Sequence, residues 1–308
     1  MANVSAVPTC QNKNDSSPAA PGTVVAEARG TALEFLRLLA AELSGGTVDL
    51  PCFPDVVVRI RAALDDPNTK PEKVVTIIGA EPRLAARLLQ TANSAAFNTS
   101  GKPLVDLRSA ITRLGYRMVQ SATMSYAVLQ MKYADQLRAI SRPLSELWSE
   151  CIVVASISQA VAARTKVSPD EAFLTGLLHA IGRLYIMARA VHGNGKFGND
   201  EYLMSLVADW HPQIGKAVLE NWGFAEEMSS AVGDQSDHER KRKTGEELTD
   251  ILVVSVVLAQ TLQNPALLKS SMTEATAFQN IGLSEVDCLT ILNRAQHQIA
   301  ALHEALGC

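Results

Sequence analysis

Apolar residues recur at helical spacing along almost the whole chain. Leu33, Leu36, Leu39, Ala40 and Leu43 fall on one stripe, which Gly45-Gly46 closes. Leu84, Ala85, Leu88, Leu89 and Ala92 share a second face, and Leu174, Leu177, Leu178 and Ile181 a third. Leu289, Leu292, Ala295, Ile299 and Leu302 form a fourth. The punctuation between stripes agrees. Pro54, Pro71, Pro82 and Pro169 stand where the first turn of a helix accepts a residue without an N–H. Ser168-Pro169-Asp170-Glu171 and Thr244-Gly245-Glu246-Glu247 read as capping boxes, and Ser284 with Asp287 as a weaker one. Gly115, Gly193, Gly223 and Gly282 fit helix stops or tight joints. Period-two alternation, the mark of strands, is hard to find. Ile251–Leu258 is rich in β-branched residues, but the cap before it and the apolar pattern running on to Leu262 predict helix. The expected fold class is all-α.

Residues 1–29 combine Pro8, Pro18 and Pro21 with the polar stretch Gln11–Ser17, a composition that predicts a disordered tail. A helix is expected over 30–46. Pro143 marks a division between a first helical lobe, about 47–140, and a second from about 144.

Composition narrows the function classes. With 308 residues and 47% hydrophobic content, the chain is not wholly disordered. A net charge of −4 argues against a general nucleic-acid binder. The apolar runs Ile152–Ala163 and Ile251–Ala259 are far shorter than the ~20 residues that span a bilayer, and no secretory signal pattern opens the chain. A cytoplasmic protein with no membrane partner is expected. Cys10, Cys52, Cys151, Cys288 and Cys308 include no C-x-x-C pair and read as small apolar residues in a reducing compartment. His238–Lys243 is the only dense basic run. It reads as a solvated loop, with Arg240, Lys241, Arg242 and Lys243 as a candidate patch for an acidic partner or nucleic acid.

Among six histidines, His179 stands out. It lies in the apolar segment Gly176–Gly182, where an imidazole needs a hydrogen-bond partner or a metal. His211, between Trp210 and Pro212, is expected at a helix start, whereas His297 and His303 lie among polar neighbours. H-E-x-x-H, Walker, G-x-S-x-G and G-x-G-x-x-G motifs are absent. Cys151 reads as buried filler rather than as a nucleophile.

At these positions the chain resembles the HDOD domain, a non-catalytic relative of HD-type metal-dependent phosphohydrolases. Leu50-Pro51 with Phe53-Pro54 is similar to the family's opening L-P-x-x-P, and Glu81-Pro82-Arg83-Leu84 to D-P-x-L with Glu for Asp. Leu88-Leu89 through Asn93-Ser94 resembles L-L-x-x-x-N-S, and Ala110 through Gly115 resembles A-I-x-x-L-G. Leu147-Trp148, Gly176–Gly182, His211 through Ile214-Gly215, and Trp222-Gly223 match the second-lobe motifs. The resemblance implies a multi-helix, HD-like bundle in two lobes, with the domain over 47–245 and residues 246–308 completing the HD-like lobe.

It also implies where an active relative keeps its ligands. Here those positions read Glu150, His179, Ala180, His211, Gln235 and Gln260. Ala180 replaces an aspartate that bridges metal or holds water, and Gln260 replaces a final aspartate with a neutral group. The expectation is therefore no metal, no cofactor and no catalysis: a bacterial signal-transduction protein acting through protein partners, with a homodimer allowed. Asn93, Ser94 and Gly115 are expected to be structural. The alternatives are a residual phosphohydrolase using Glu150, His179, His211 and Asp234, and a nucleotide or nucleic-acid binder using residues 240–243.

Overall fold

The computed structural model describes residues 34–35, 37–45, 50, 53–66, 68–94, 97–98, 101–192, 201–241 and 247–306. The expected tail, Gly193, Thr244 and the cysteines at 10, 52 and 308 lie outside these residues. Every regular element among them is helical. Helix α1 covers residues 34–44, residue 36 excepted. It is followed by α2 (Asp55–Asp65), α3 (Pro71–Gly79), α4 (Pro82–Asn93) and α5 (Leu107–Tyr133). A 3-10 segment (Asp135–Ile140) leads into α6 (Ser141–Ala162), α7 (Pro169–Leu178), α8 (Ile181–His192) and α9 (Glu201–Asn221). The chain ends with α10 (Glu226–Gly233), α11 (Glu247–Gln263), α12 (Leu268–Glu274), α13 (Ala277–Ile281) and α14 (Glu285–Leu306).

Helix boundaries follow the local chemistry with instructive exceptions. Pro71, Pro82 and Pro169 occupy the first turn, as expected, whereas Pro54 is the cap itself. Ser168 caps α7 without a side-chain hydrogen bond. Among the described residues, the box read as weakest forms: Ser284 N–H and hydroxyl both donate to Asp287, and Asp287 N–H donates back to Ser284 Oγ at 3.2 Å. Gly115 has φ of 72° inside α5 and joins two helical segments at a kink that an L side chain would strain. Pro212 lies inside α9 rather than near its start. The carbonyl it deprives of a donor belongs to Ala208, an exposed residue that water reaches.

The stripes are covered as predicted on α4 and α7. Leu84, Leu88 and Ala92, like Leu174, Leu177 and Leu178, are buried. On α14 the register differs. Leu292 and Ala295 are buried, but Leu289 is 52% exposed. Ala40 is likewise exposed beside buried Leu39 and Leu43.

The first lobe packs α2, α3 and α4 on α5, and the second half of α5 runs on to meet α7. In the second lobe α7 lies along α6, α8 against α9, and α11 against α6 and α10. Helix α14 crosses α6 and reaches α4, so it ties the lobes together as well as completing the second. Aromatic contacts join them elsewhere, and polar contacts dock α1 on the second lobe. Phe53 stacks on Trp222 at 4.9 Å, and Arg61 lies 5.4 Å from the Phe224 ring. Arg189 on α8 holds Glu42 on α1 at 2.6 Å, and Asn221 donates to Leu43 O. Phe53, within the opening motif, therefore meets the corner Trp222-Gly223 that ends α9.

Asn93 acts as a clamp. Its Nδ2 donates to Leu104 O at 2.8 Å and its Oδ1 accepts from Leu104 N at 2.7 Å. Ser94 caps α4, its hydroxyl donating to Thr91 O. Glu81 accepts from the Tyr126 hydroxyl at 2.9 Å, linking α4 to α5. Burial, and then Glu81, push that phenol up to about 12.

Two close helix crossings position the second-lobe site. A Cβ on Gly176 would stand 2.7 Å from Ala155 Cα on α6. A Cβ on Gly182 would stand 2.0 Å from His211 O and 2.7 Å from Gly215 N on α9. These glycines let backbones touch, which brings α6, α8 and α9 around His179.

Candidate functional site

Helix α6 supplies Glu150 and Cys151, the joint between α7 and α8 supplies His179 and Ala180, and α8 supplies Arg183. Helix α9 adds His211, and the turn after α10 adds Gln235. His179 lies just past the end of α7 rather than inside a helix, and is buried. Its Nδ1–H donates to Gly176 O at 2.8 Å, which turns Nε2 toward Glu150 Oε1 at 3.7 Å. Glu150 is itself gripped by Arg183, whose Nη1 lies 3.0 and 2.9 Å from the two carboxylate oxygens. Gln235 spends its amide on backbone, donating to His179 O at 2.9 Å and Val232 O at 2.8 Å.

Electrostatics separates the two histidines. Burial opposes a charge on His179, but Cys151 and Glu150 outweigh it and raise the ring to about 9. Burial, then the charges of His179 and Arg183, push His211 down to about 3, with Glu150 opposing. The two rings are pushed in opposite directions, His179 toward its charged form and His211 toward its neutral one. Burial opposes the Glu150 carboxylate, yet His179 and Arg183 hold it down at about 2. His211 Nδ1 is buried with no hydrogen-bond partner among the described residues.

Glu150 and Arg183 line a cleft of ≈ 920 Å³ with Ser149, Val153, Val256 and Gln260. Gln260 is exposed on its wall. Ala180 faces elsewhere. It lines a small cavity of ≈ 20 Å³ with Met124, Trp148, Cys151, Leu177 and Leu184. Cys151 is buried there, as expected, but it also faces the His179 ring.

These residues do not fit a catalytic metal. Both Glu150 oxygens already face a guanidinium, one His179 nitrogen is committed to a carbonyl, and Gln235 is committed to two. Ala180 offers no donor. No three His, Cys, Asp or Glu side chains among the described residues are grouped to hold an ion.

The basic run needs correction. Arg240 is not solvated: its Nη1 holds Asp250 Oδ1 at 2.8 Å, with both side chains buried. Thr276 on the approach to α13 also bonds His238 O and Arg240 O. Lys241 is exposed, and Arg242 and Lys243 lie outside the described residues. Arg183 was missed from sequence. Its only local signal is its place four residues after His179, in the first turn of α8.

The sequence profile of the HDOD domain matches residues 50–238. The chain belongs to the HDOD domain family. An uncharacterised protein of Treponema pallidum (strain Nichols) is 22% identical over 205 residues, which cover 63% of this chain and 39% of that protein. Three solved structures share the fold. A protein of Shewanella amazonensis SB2B, provisionally named a metal-dependent phosphohydrolase, matches with a TM-score of 0.67 and 24% identity, over 88% of this chain and 99% of its own. An HDOD domain protein of unknown function from Geobacter sulfurreducens gives 0.58 and 21%, over 87% and 96%. A protein of Marinobacter aquaeolei VT8, provisionally named a signal transduction protein, gives 0.60 and 20%, over 91% and 66%. No described helix of this HDOD protein is long and apolar enough to cross a membrane.

Proposed function

We propose that this HDOD protein is a non-catalytic regulator that works through protein–protein contacts in bacterial signal transduction. The observation that carries the reading is the internal consumption of the HD-like pocket. Glu150 pairs with Arg183, His179 with Gly176 and Glu150, and Gln235 with backbone. A hydrolytic site needs open positions for water and substrate on an ion. Here the donors are spent on holding α6, α7 and α8 together. Fold alone does not assign activity, so the reading rests on these residues rather than on the neighbours' names. The provisional name of the Marinobacter protein is in keeping with it.

The test has two arms. Purified protein is assayed for bound metal and for turnover of nucleotides and a chromogenic phosphodiester with added manganese or iron. No turnover is expected. Stoichiometric metal and turnover abolished by His179→Ala would overturn the reading in favour of a residual phosphohydrolase. The second arm is affinity capture from the native cell, comparing wild type with a triple variant, Lys241→Glu, Arg242→Glu and Lys243→Glu. Arg240 stays, because deleting it would break the buried pair with Asp250. Capture of the same signalling protein by wild type alone supports the patch. Equal capture assigns the contact to another surface, and salt-sensitive recovery of nucleic acid would favour a nucleic-acid binder.

A further inference from the structure

We propose that Arg183 stands in for a divalent ion as the counter-charge of Glu150 and keeps the pocket closed to metals. The geometry is that of a ligand set already occupied. Arg183 reaches across from α8 to α6 and places Nη1 within 3.0 Å of both carboxylate oxygens. A divalent ion needs those same lone pairs. The guanidinium is delocalised, permanently charged and attached to the chain, so neither chelators nor acid remove it.

Charge counting strengthens the point. Glu150 brings one negative charge, and the Arg183 guanidinium already balances it. The carboxylate is neutralised before any ion arrives, and a dication would have to displace a tethered cation. His211 adds no negative charge, and Glu146 on the cleft rim is engaged by Arg142. Arg183 also ties α8 to α6 at their exposed edge. It thereby performs the structural half of a metal's work without the Lewis-acid half.

Removing the cation should therefore open a site. In Arg183→Met, Glu150 loses its main partner and remains 3.7 Å from His179 Nε2. Nickel or manganese is added, bound metal is measured after dialysis, and the thermal midpoint is followed with and without the ion. Wild type is expected to retain no metal and show no shift. Arg183→Met is expected to retain more of the ion than wild type, held through the freed Glu150 carboxylate, and to melt higher with it. Adding Glu150→Gln should abolish the gain, and Arg183→Lys should behave as wild type. Arg183→Gln, with the same expected gain, serves if the methionine variant does not fold. A metal-free wild type with a folded but metal-indifferent Arg183→Met overturns this assignment alone. Failure of both neutral variants to fold even with the ion present also overturns it. Stoichiometric metal in wild type overturns both this assignment and the non-catalytic reading.

Discussion

Gly182→Ala tests the claim that the site is assembled by backbone contact between α8 and α9. The added Cβ would stand 2.0 Å from His211 O, 2.7 Å from Gly215 N and 3.0 Å from His211 C. Ordinary carbon contacts begin near 3.5 Å, so the helices must part by more than about 1 Å. All three neighbours are backbone atoms, and no rotamer change relieves the clash. Overpacking costs about 1–3 kcal/mol, and a clash with backbone on every side belongs at the upper end, about 3 kcal/mol. Replacing glycine within a helix returns about 1 kcal/mol, since alanine has less backbone freedom to lose. The net expectation is a loss of about 2 kcal/mol, lowering the thermal midpoint by roughly 4–8 °C. Urea denaturation followed by circular dichroism measures it. Gly79→Ala is the control. Its Cβ would meet only Leu107 Cδ2, at 3.9 Å, and the variant should match or slightly exceed wild type. If Gly182→Ala is as stable as wild type, the close crossing does not exist and the placement of His211 beside His179 fails with it.

Asn93→Ala removes both bonds to Leu104 and should cost about 2 kcal/mol; an unchanged urea midpoint would dismiss the clamp. Arg240→Ala leaves Asp250 buried without its cation and should cost about 3–5 kcal/mol, whereas exposed Lys241→Ala should stay within about 0.5 kcal/mol. Ala180→Asp puts a carboxylate against Met124, Leu177 and Leu184, so it should destabilise by several kcal/mol and yield no turnover; a stable, active variant would show that only the missing aspartate silences the pocket. Stability should peak near pH 6.5 as far as the two histidines decide it. The His179 contribution is complete below its unfolded value and is lost as pH rises through about 9, and the His211 contribution is present above its unfolded value and lost as pH falls through about 3. His179→Gln should flatten the alkaline arm of a melting-against-pH curve and His211→Gln the acid arm, which Glu150 shares below its ordinary range.

What the sequence disclosed and what it withheld divide along one physical line. Periodicity reports that a helix has an apolar face, so the helices over α4, α7 and α11 were legible, as was the glycine joint inside α5. Periodicity does not report how far a face is covered. Leu289 shares a stripe with Leu292 and Ala295, yet α6 reaches only part of that stripe and leaves Leu289 in water. The same limit governs the site. Glu150, His179 and His211 were legible because the motifs carry them, but Arg183 takes its meaning from Glu150, 33 residues earlier. Arg240 likewise looks like part of a solvated cluster until α11 and α13 close over it and Asp250 claims it. In each case charge is a property of a residue, but counter-charge is a property of the packing. Glycine is the exception that reconnects the two. Gly176 and Gly182 bracket His179 in sequence, and each marks a place where another backbone must come within contact distance. Read that way, the motif Gly176–Gly182 specifies the approach of α6 and α9 as strongly as it specifies the imidazole. That explains how the pocket can keep its shape here with an arginine as its cation and an alanine where an aspartate would be expected.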